Sequence, residues 1–159
     1  MKILGIDPGY GILGWSVIND DLTIIDYGVI RTESSERFDS RLLKIHTGLK
    51  EIISTFRPDC VSIEKIFFSK STSTAMDVSK TIGVILLTTR LADLDYHEYT
   101  PSQVKQAITG FGRADKEQMQ AMIRTIFRLD EIPRPDDAAD ALAIAACHSF
   151  KHTRIGASG

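Results

Sequence analysis

Apolar residues alternate with polar or small ones near the start of the chain and predict three short strands. Each segment is rich in apolar or β-branched residues and is bounded by Gly, Asn or Asp, which favour tight turns. The segments are ILGID at 3–7, GWSVIN at 14–19 and TIIDYGVIRT at 23–32. Because the connections between them are short, we expect antiparallel pairing.

The spacing of apolar positions changes at Ser40, from where they recur every three or four residues as far as Phe56. That period predicts a helix, and Arg57–Pro58 ends it because proline cannot continue a helix and restricts the residue before it. The same criteria predict strands CVSIEKIF at 60–67 and YHEYT at 96–100. They also predict helices at 71–91, 101–109, 117–129 and 136 to about 150.

The predicted element order, β-β-β-α-β-α-β-α-α-α, is typical of an α/β protein. Early hairpins followed by alternating strands and helices predict a five-stranded mixed β-sheet flanked by α-helices. The length of 159 residues suits one hydrophobic core, and no repeat or linker divides the chain. We therefore predict a single domain over residues 1–150 and a short C-terminal tail over 151–159.

The net charge of −2 argues against a uniformly basic, nucleic-acid-binding protein. The distribution is uneven, however. Residues 19–39 contain six acids and two bases, whereas residues 101–128 contain five bases and two acids. One end of the molecule is expected to be more basic than the other, which permits a polyanionic partner.

The cysteines and histidines offer no obvious metal-ligand pattern. Cys60 and Cys147 lie far apart and match no such spacing, so we expect buried, reduced thiols, as in a cytosolic protein. His46, His97 and His148 are expected to be structural.

The chain shows no targeting or membrane segment. The opening MKILGIDPGY has one lysine and only a short apolar stretch, unlike a signal peptide. The most apolar later stretch, TIGVILLTTRLA, is too short and too polar at its end to span a bilayer. These features predict a cytoplasmic protein without membrane contact.

Four carboxylates stand where a carboxylate is unfavourable. Asp7 ends an apolar strand, and Glu64 interrupts an apolar run. Asp137 and Asp140 lie three residues apart at the start of the last helix and therefore share a face. That face continues through the mostly apolar stripe Ala141, Ile144 and His148, which should lie against the sheet. The pattern thus directs all four acids toward partly buried positions.

A buried carboxylate must be paired, protonated or bound to a cation, because burying it alone costs several kcal/mol. No basic residue stands at comparable depth in these segments. Carboxylates without nearby His or Cys suit hard cations such as Mg²⁺ or Mn²⁺. Two such ions bridging a phosphate would orient a water for in-line attack and stabilise the leaving oxygen.

Each acid also has a simpler interpretation. Asp7 before Pro8–Gly9 is suited to starting a turn, and Asp136 with Asp137 is suited to capping the last helix. Glu64 could face solvent at a sheet edge. These interpretations do not explain why all four acids occur together in one small domain.

Four stretches of the chain resemble the motifs of the RuvC family of Holliday-junction resolvases. They occur in the family's order and span nearly the whole sequence: ILGIDPGYGILGWSVI, SIEKIFFSK, SQVKQAITGFGRADKEQM and DDAADALAIA. The resemblance implies an RNase H-like fold, in agreement with the predicted element order. It also implies a metal-dependent endonuclease that nicks two opposing strands of a four-way DNA junction and leaves 5′-phosphate and 3′-hydroxyl ends.

The resemblance assigns Asp7, Glu64, Asp137 and Asp140 to the family's metal-binding catalytic acids, with Mg²⁺ as cofactor and Mn²⁺ as its substitute. Phe67 matches the aromatic residue that stacks on an exposed base at the junction centre, although it could also be a core or dimer residue.

Three basic residues are candidate contacts to the DNA backbone. By resemblance, Lys105 and Lys116 match family lysines near the scissile phosphate, although a lone lysine is more often a solvated helix charge. Arg113 is a candidate phosphate contact in a glycine loop, where the amides of Gly110 and Gly112 could also approach a phosphate. Such loops often serve only as turns.

The resemblance also implies partners. A homodimer would match the two-fold symmetry of the junction, and the branch-migration proteins RuvA and RuvB would act with it. The predicted helix from Ser71 to Leu91 has more apolar residues than one packed face needs, so it is either the dimer interface or a fully covered core helix.

Two other functions start from the same residues. Asp7, Gly9 and Gly14 fit the D-x-G-x(4)-G phosphate loop of actin-like and sugar-kinase-like ATPases, but such proteins need a second domain and give Asp137 and Asp140 no role. A junction-binding protein without cleavage, or a relative acting on RNA, is the second alternative. The complete acid set opposes the former, and the motifs around Phe67 and Lys105 oppose the latter.

Overall fold

The computed structural model describes residues 1–66 and 72–156, without the side chains of 72 and 154–156. Over these residues the element order is the predicted one. The strands are β1 Lys2–Asp7, β2 Ile12–Asn19, β3 Ile24–Arg31, β4 Cys60–Glu64 and β5 Asp95–Tyr99. The helices are α1 Phe38–Phe56, α2 Thr72–Leu91, α3 Pro101–Thr109, α4 Lys116–Ile126 and α5 Asp136–Gly156.

The described strands form one five-stranded sheet in the order β3-β2-β1-β4-β5. The hairpin strands β1, β2 and β3 pair antiparallel, as predicted from their short connections. The strands reached through helices, β4 and β5, add in parallel on the other side of β1. The predicted mixed sheet is therefore confirmed.

Strand alternation divides the apolar residues between two cores, one on each face of the sheet. Leu4 and Ile6 of β1 contribute to the core beneath α1 and α2, whereas Ile3 contributes to the core beneath α3, α4 and α5. In β4, Val61 contributes to the core beneath α1 and α2, and Cys60 contributes to the core beneath α3, α4 and α5. Because side chains alternate with a period of two, the residues at the ends of these two strands, Asp7 and Glu64, face the α5 side.

Helix α5 lies unusually close to the sheet because small residues meet along its path. A Cβ at Gly5 would overlap the carbonyl oxygen of Ala141 and lie 2.8 Å from the Cβ of Ala145. Ser62, which pairs with Gly5 across β1 and β4, donates its hydroxyl to the Ile144 carbonyl at 2.9 Å. The buried stripe predicted from the spacing, Ala141, Ile144 and His148, is confirmed.

Three element boundaries differ from the predictions by three residues or more, and the others that differ do so by one or two. Strand β4 ends at Glu64, three residues before its predicted end. Helix α4 ends at Ile126, also three residues early, because the chain then turns, with Arg128 at a φ of 53°. Helix α5 continues to Gly156 rather than ending near Phe150. The residues after Phe150 are polar but contain no helix breaker before Gly156, so the start of the predicted tail is helical.

Helix α2 is only partly covered by the rest of the chain. It packs against α1 and buries Ile85, but Met76, Leu87 and Leu91 are 58%, 60% and 70% exposed. It is therefore not a fully covered core helix within one chain. None of the described helices is long and apolar enough to cross a bilayer.

Candidate active site

Two of the four predicted acids meet at the ends of adjacent parallel strands. Ile6 of β1 is in register with Ile63 of β4, and the next residue in each strand is an acid, Asp7 or Glu64. Both acids face α5. The apolar runs that made these positions unfavourable for a carboxylate are thus the central strands of the sheet, which hold the two acids side by side.

The other two acids reach the same place on the first turns of α5. Asp7 pairs with Gly14 across β1 and β2, and a Cβ at Gly14 would overlap the backbone carbonyl of Asp137, whose carbon would be 2.5 Å away. The backbone of Asp137 therefore packs against Gly14, the β2 residue that pairs with Asp7. Asp140, one turn later, interacts electrostatically with both Asp7 and Glu64. The structure brings all four predicted acids together.

Burial and mutual repulsion make Asp7, Glu64 and Asp140 resist ionisation. Burial, together with the nearby charges of Asp140, Glu64 and Asp137, raises the pKa of Asp7 to about 8. The pKa values of Glu64 and Asp140 are raised as well, mainly by burial. Lysines oppose this only in part, with Lys105 lowering the pKa of Glu64.

Asp136 plays a different role from its neighbour Asp137. It forms an ion pair with Lys116, and its other oxygen lies 3.8 Å from a guanidinium nitrogen of Arg134. The pKa of the Asp136 carboxyl is lowered, chiefly by the hydrogen bond from Lys116. At the start of α5 it also meets the positive end of the helix dipole. The simple helix-start interpretation therefore fits Asp136, whereas Asp137 lies with the acid cluster.

A cavity of about 260 Å³ opens beside the acids and contains both candidate lysines. Glu64 and Asp140 line it together with Lys105 and Lys116. Lys105 is half-buried on α3, while Lys116 is the exposed first residue of α4. The sequence did not indicate that Lys116 would pair with Asp136, twenty residues away, because that contact depends on how α4 packs beside α5.

Arg113 is not brought to this cavity. Arg113 is exposed in the loop between α3 and α4 and does not line it. In that loop Gly110 caps α3 with a φ of 77°, and a Cβ at Gly112 would lie 2.7 Å from the Ser102 hydroxyl. Both glycines thus serve the turn and its packing. Phe67 lies outside the described residues.

The donor set fits a hard divalent cation. Within residues 1–66 and 72–156, no cation forms an ion pair with Asp7, which is flanked by three further carboxylates. A divalent ion would remove the repulsion that raises these pKa values and would find the oxygen ligands it prefers.

Comparison with known proteins shows the family to which the chain belongs. Residues 3–148 match the family model described as crossover junction endodeoxyribonuclease RuvC. The chain belongs to the RuvC family. A RuvC of Caldicellulosiruptor saccharolyticus is 50% identical over 98% of this chain and 96% of that protein, and one of Heliobacterium modesticaldum is 49% identical over 92% and 93%.

Solved RuvC structures show the same fold. RuvC of Thermus thermophilus superposes with a TM-score of 0.89 at 36% identity, covering 98% of this chain and 97% of that one. The same protein in complex with a Holliday junction substrate gives a TM-score of 0.91 at 38% identity, covering 98% and 96%. The predicted RNase H-like fold is confirmed, and membership of this nuclease family implies dependence on a divalent metal.

The raised pKa of Asp7 predicts how the stability of the metal-free protein depends on pH. Unfolded, this group ionises near pH 4, whereas in the fold its pKa is about 8. Between these values the folded state holds the proton that the unfolded state has lost, so the free energy of unfolding falls as pH rises. The slope for one proton is about 1.4 kcal/mol per pH unit.

Thermal or urea unfolding in a chelator from pH 6.5 to 8 measures this slope, and Asp7→Asn should flatten it and stabilise the protein at pH 8. Burial lowers the pKa of His148 to about 4, which destabilises the fold toward acid pH. His148 is present in both the original protein and the Asp7→Asn variant. The difference between their pH dependences of unfolding free energy therefore isolates the contribution of Asp7. Parallel curves for the two proteins would contradict the assignment.

Proposed function

We propose that this chain is a structure-specific endonuclease that resolves Holliday junctions in DNA recombination and repair. It nicks two opposing strands symmetrically and leaves ligatable 5′-phosphate and 3′-hydroxyl ends. The observation that carries the proposal is the gathering of Asp7, Glu64, Asp137 and Asp140 beside a cavity that holds two lysines.

The four acids would hold Mg²⁺, or Mn²⁺ in its place, and we propose two ions per site. Four carboxylates at one site would supply oxygen ligands for more than one divalent ion. When bound, the ions supply activation of a water and neutralisation of charge on the phosphate.

The two lysines that line the cavity would orient the DNA backbone. Lys105 is held on α3 opposite Glu64, so a phosphate bound between them would gain a charge-assisted contact. Lys116 would exchange Asp136 for a phosphate oxygen when DNA enters. Phe67 and Arg113 stay predictions as further DNA contacts.

A homodimer would bring two acid clusters to one junction, and α2 supports this proposal. Met76, Gly83, Leu87 and Leu91 recur at helical spacing on one face. Three of them are exposed and apolar, and a Cβ at Gly83 would meet nothing within 4 Å, so another helix could approach its backbone closely. RuvA and RuvB as partners, and the cytoplasm as the compartment, stay predictions.

We expect Leu87→Lys to weaken dimerisation at least about 100-fold, because an isologous interface contains the change twice and must bury both charges. Sedimentation equilibrium over a concentration series measures this. Ile25→Lys, which changes a half-exposed apolar residue on β3, is the matched control and should leave the dimer intact. If Leu87→Lys leaves the dimerisation constant unchanged, the interface lies elsewhere on the molecule.

The experiment that tests the proposed function compares end-labelled substrates in Mg²⁺. A synthetic four-way DNA junction, a linear duplex of the same sequence and a four-way RNA junction are incubated with the full chain. Paired nicks in the DNA junction that ligase reseals would support the proposal. Binding without nicks would leave junction recognition only, and preference for RNA would favour the alternative substrate.

A further inference from the structure

A second set of metal-binding side chains lies on the same face of the sheet as the acids, but at its other end. Among the described residues, the ligand atoms of Cys60, His97 and His148 all lie within 4.8 Å of one another. Cys60 and His148 are buried, and His97 is exposed. The three come from β4, β5 and α5, so no sequence spacing indicated them.

Strand register explains why these residues meet. Ser62 pairs with His97 and Cys60 pairs with Asp95, so the two-residue alternation places Cys60 and His97 on one face. That is the face that α5 covers. His148, on α5, packs against this face of the sheet, and its ring centroid is 4.3 Å from that of His97.

The surroundings of His148 resemble those of a metal ligand. The Tyr99 hydroxyl lies 2.7 Å from Nδ1 of His148, which fixes the ring and leaves the other nitrogen to offer to a metal. Such an oxygen partner commonly orients a metal-bound histidine.

A fourth donor stands one helical turn further on. His152 is exposed, and its ring centroid is 5.8 Å from that of His148. Two histidines spaced i and i+4 on one helix face are a recurring zinc-binding arrangement. His152 or a water could therefore complete four-coordination.

We propose that Cys60, His97 and His148 form a site for a borderline-soft transition-metal ion of the Zn²⁺ class. A thiolate and imidazoles select such ions over Mg²⁺. As the metal–sulfur bond forms, the thiol proton of Cys60 leaves to solvent. The site is separate from the acid cluster, because His148 lies roughly 16 Å along α5 from Asp137 at 1.5 Å per residue. Its metal would join the edge strand β5 to β4 and α5.

Titration of the reduced full chain with Co²⁺ tests this proposal, because a cobalt–thiolate bond gives a charge-transfer absorption that oxygen ligands do not. In excess Mg²⁺, which would occupy the acid cluster, we expect the band to saturate at one equivalent of Co²⁺ and to vanish on addition of Zn²⁺. Cys60→Ser should abolish the band. His97→Ala, at an exposed position that the fold tolerates, should weaken Co²⁺ binding at least about 10-fold.

Two variants separate this site from the other candidates. Cys147→Ser removes the other buried thiol and should keep the band. Asp7→Asn should also keep it, so failure of the nuclease proposal would not affect this result. No charge-transfer band at saturating Co²⁺, or a band that survives Cys60→Ser, would overturn the proposal and leave a stacked histidine pair without a metal.

Discussion

Asp7→Asn is expected to reduce the rate of junction cleavage at least about 10³-fold, equivalent to about 4 kcal/mol in the activation barrier. Asp7 is the acid whose pKa responds to all three of the others, so it stands at the centre of the cluster. An amide leaves the shape of the site unchanged but cannot lose a proton to become the carboxylate that a divalent ion would bind. Single-turnover cleavage of a labelled junction at saturating protein measures the loss.

Binding should separate from cleavage in this variant. Lys105 and Lys116, the proposed phosphate contacts, are unchanged in this variant, so junction affinity should stay within a few-fold of the original. Asp26→Asn, an exposed acid on β3, is the matched control and should cleave normally. If Asp7→Asn kept more than about a tenth of the rate, the reaction would not depend on the acid cluster as described.

Gly14→Ala is expected to destabilise the fold by about 1–3 kcal/mol and to impair cleavage. The added methyl group would overlap the Asp137 backbone carbonyl, and a backbone cannot rotate away as a side chain can. The start of α5 must therefore move off the sheet, taking Asp137 and Asp140 with it. Misplacing catalytic groups by about 1 Å can cost 10²-fold in rate, so both urea unfolding and cleavage should report the change.

Gly11→Ala is the matched control, since it makes the same substitution three residues away. A Cβ there would meet only Nη2 of Arg41, at 3.7 Å, an ordinary contact. Its effect on the free energy of unfolding should stay within about 0.5 kcal/mol. Equal stabilities for the two variants would show that α5 does not depend on the missing Cβ at position 14.

Local pattern was enough to predict the element order and the acids. Asp7 stood out because it ends an apolar strand, and Glu64 because it interrupts an apolar run. The two-residue alternation of side chains places both on the same face of the sheet. Asp137 and Asp140 were predicted to share a helix face and do so. These are short-range properties, and the strand pairing that joins them follows from common rules for hairpins and parallel strands.

Features that depend on contacts between distant segments could not be predicted in this way. In the sequence, Gly14 was identified only as part of a possible phosphate loop. In the fold, its lack of a Cβ allows α5 to pack closely against the sheet. The group formed by Cys60, His97 and His148 was missed because its members come from three elements whose packing no spacing encodes. The helical end of the chain was missed because its polar residues give no apolar period.

Anomalous diffraction from crystals of the full chain grown with Mn²⁺ tests the central claim most directly. The account predicts manganese peaks between Asp7, Glu64, Asp137 and Asp140, with two peaks if the two-ion proposal holds. Crystals of Asp7→Asn in the same solution should show these peaks weakened or lost. Manganese absent from the four acids at saturating concentration, or bound only elsewhere on the molecule, would contradict the account.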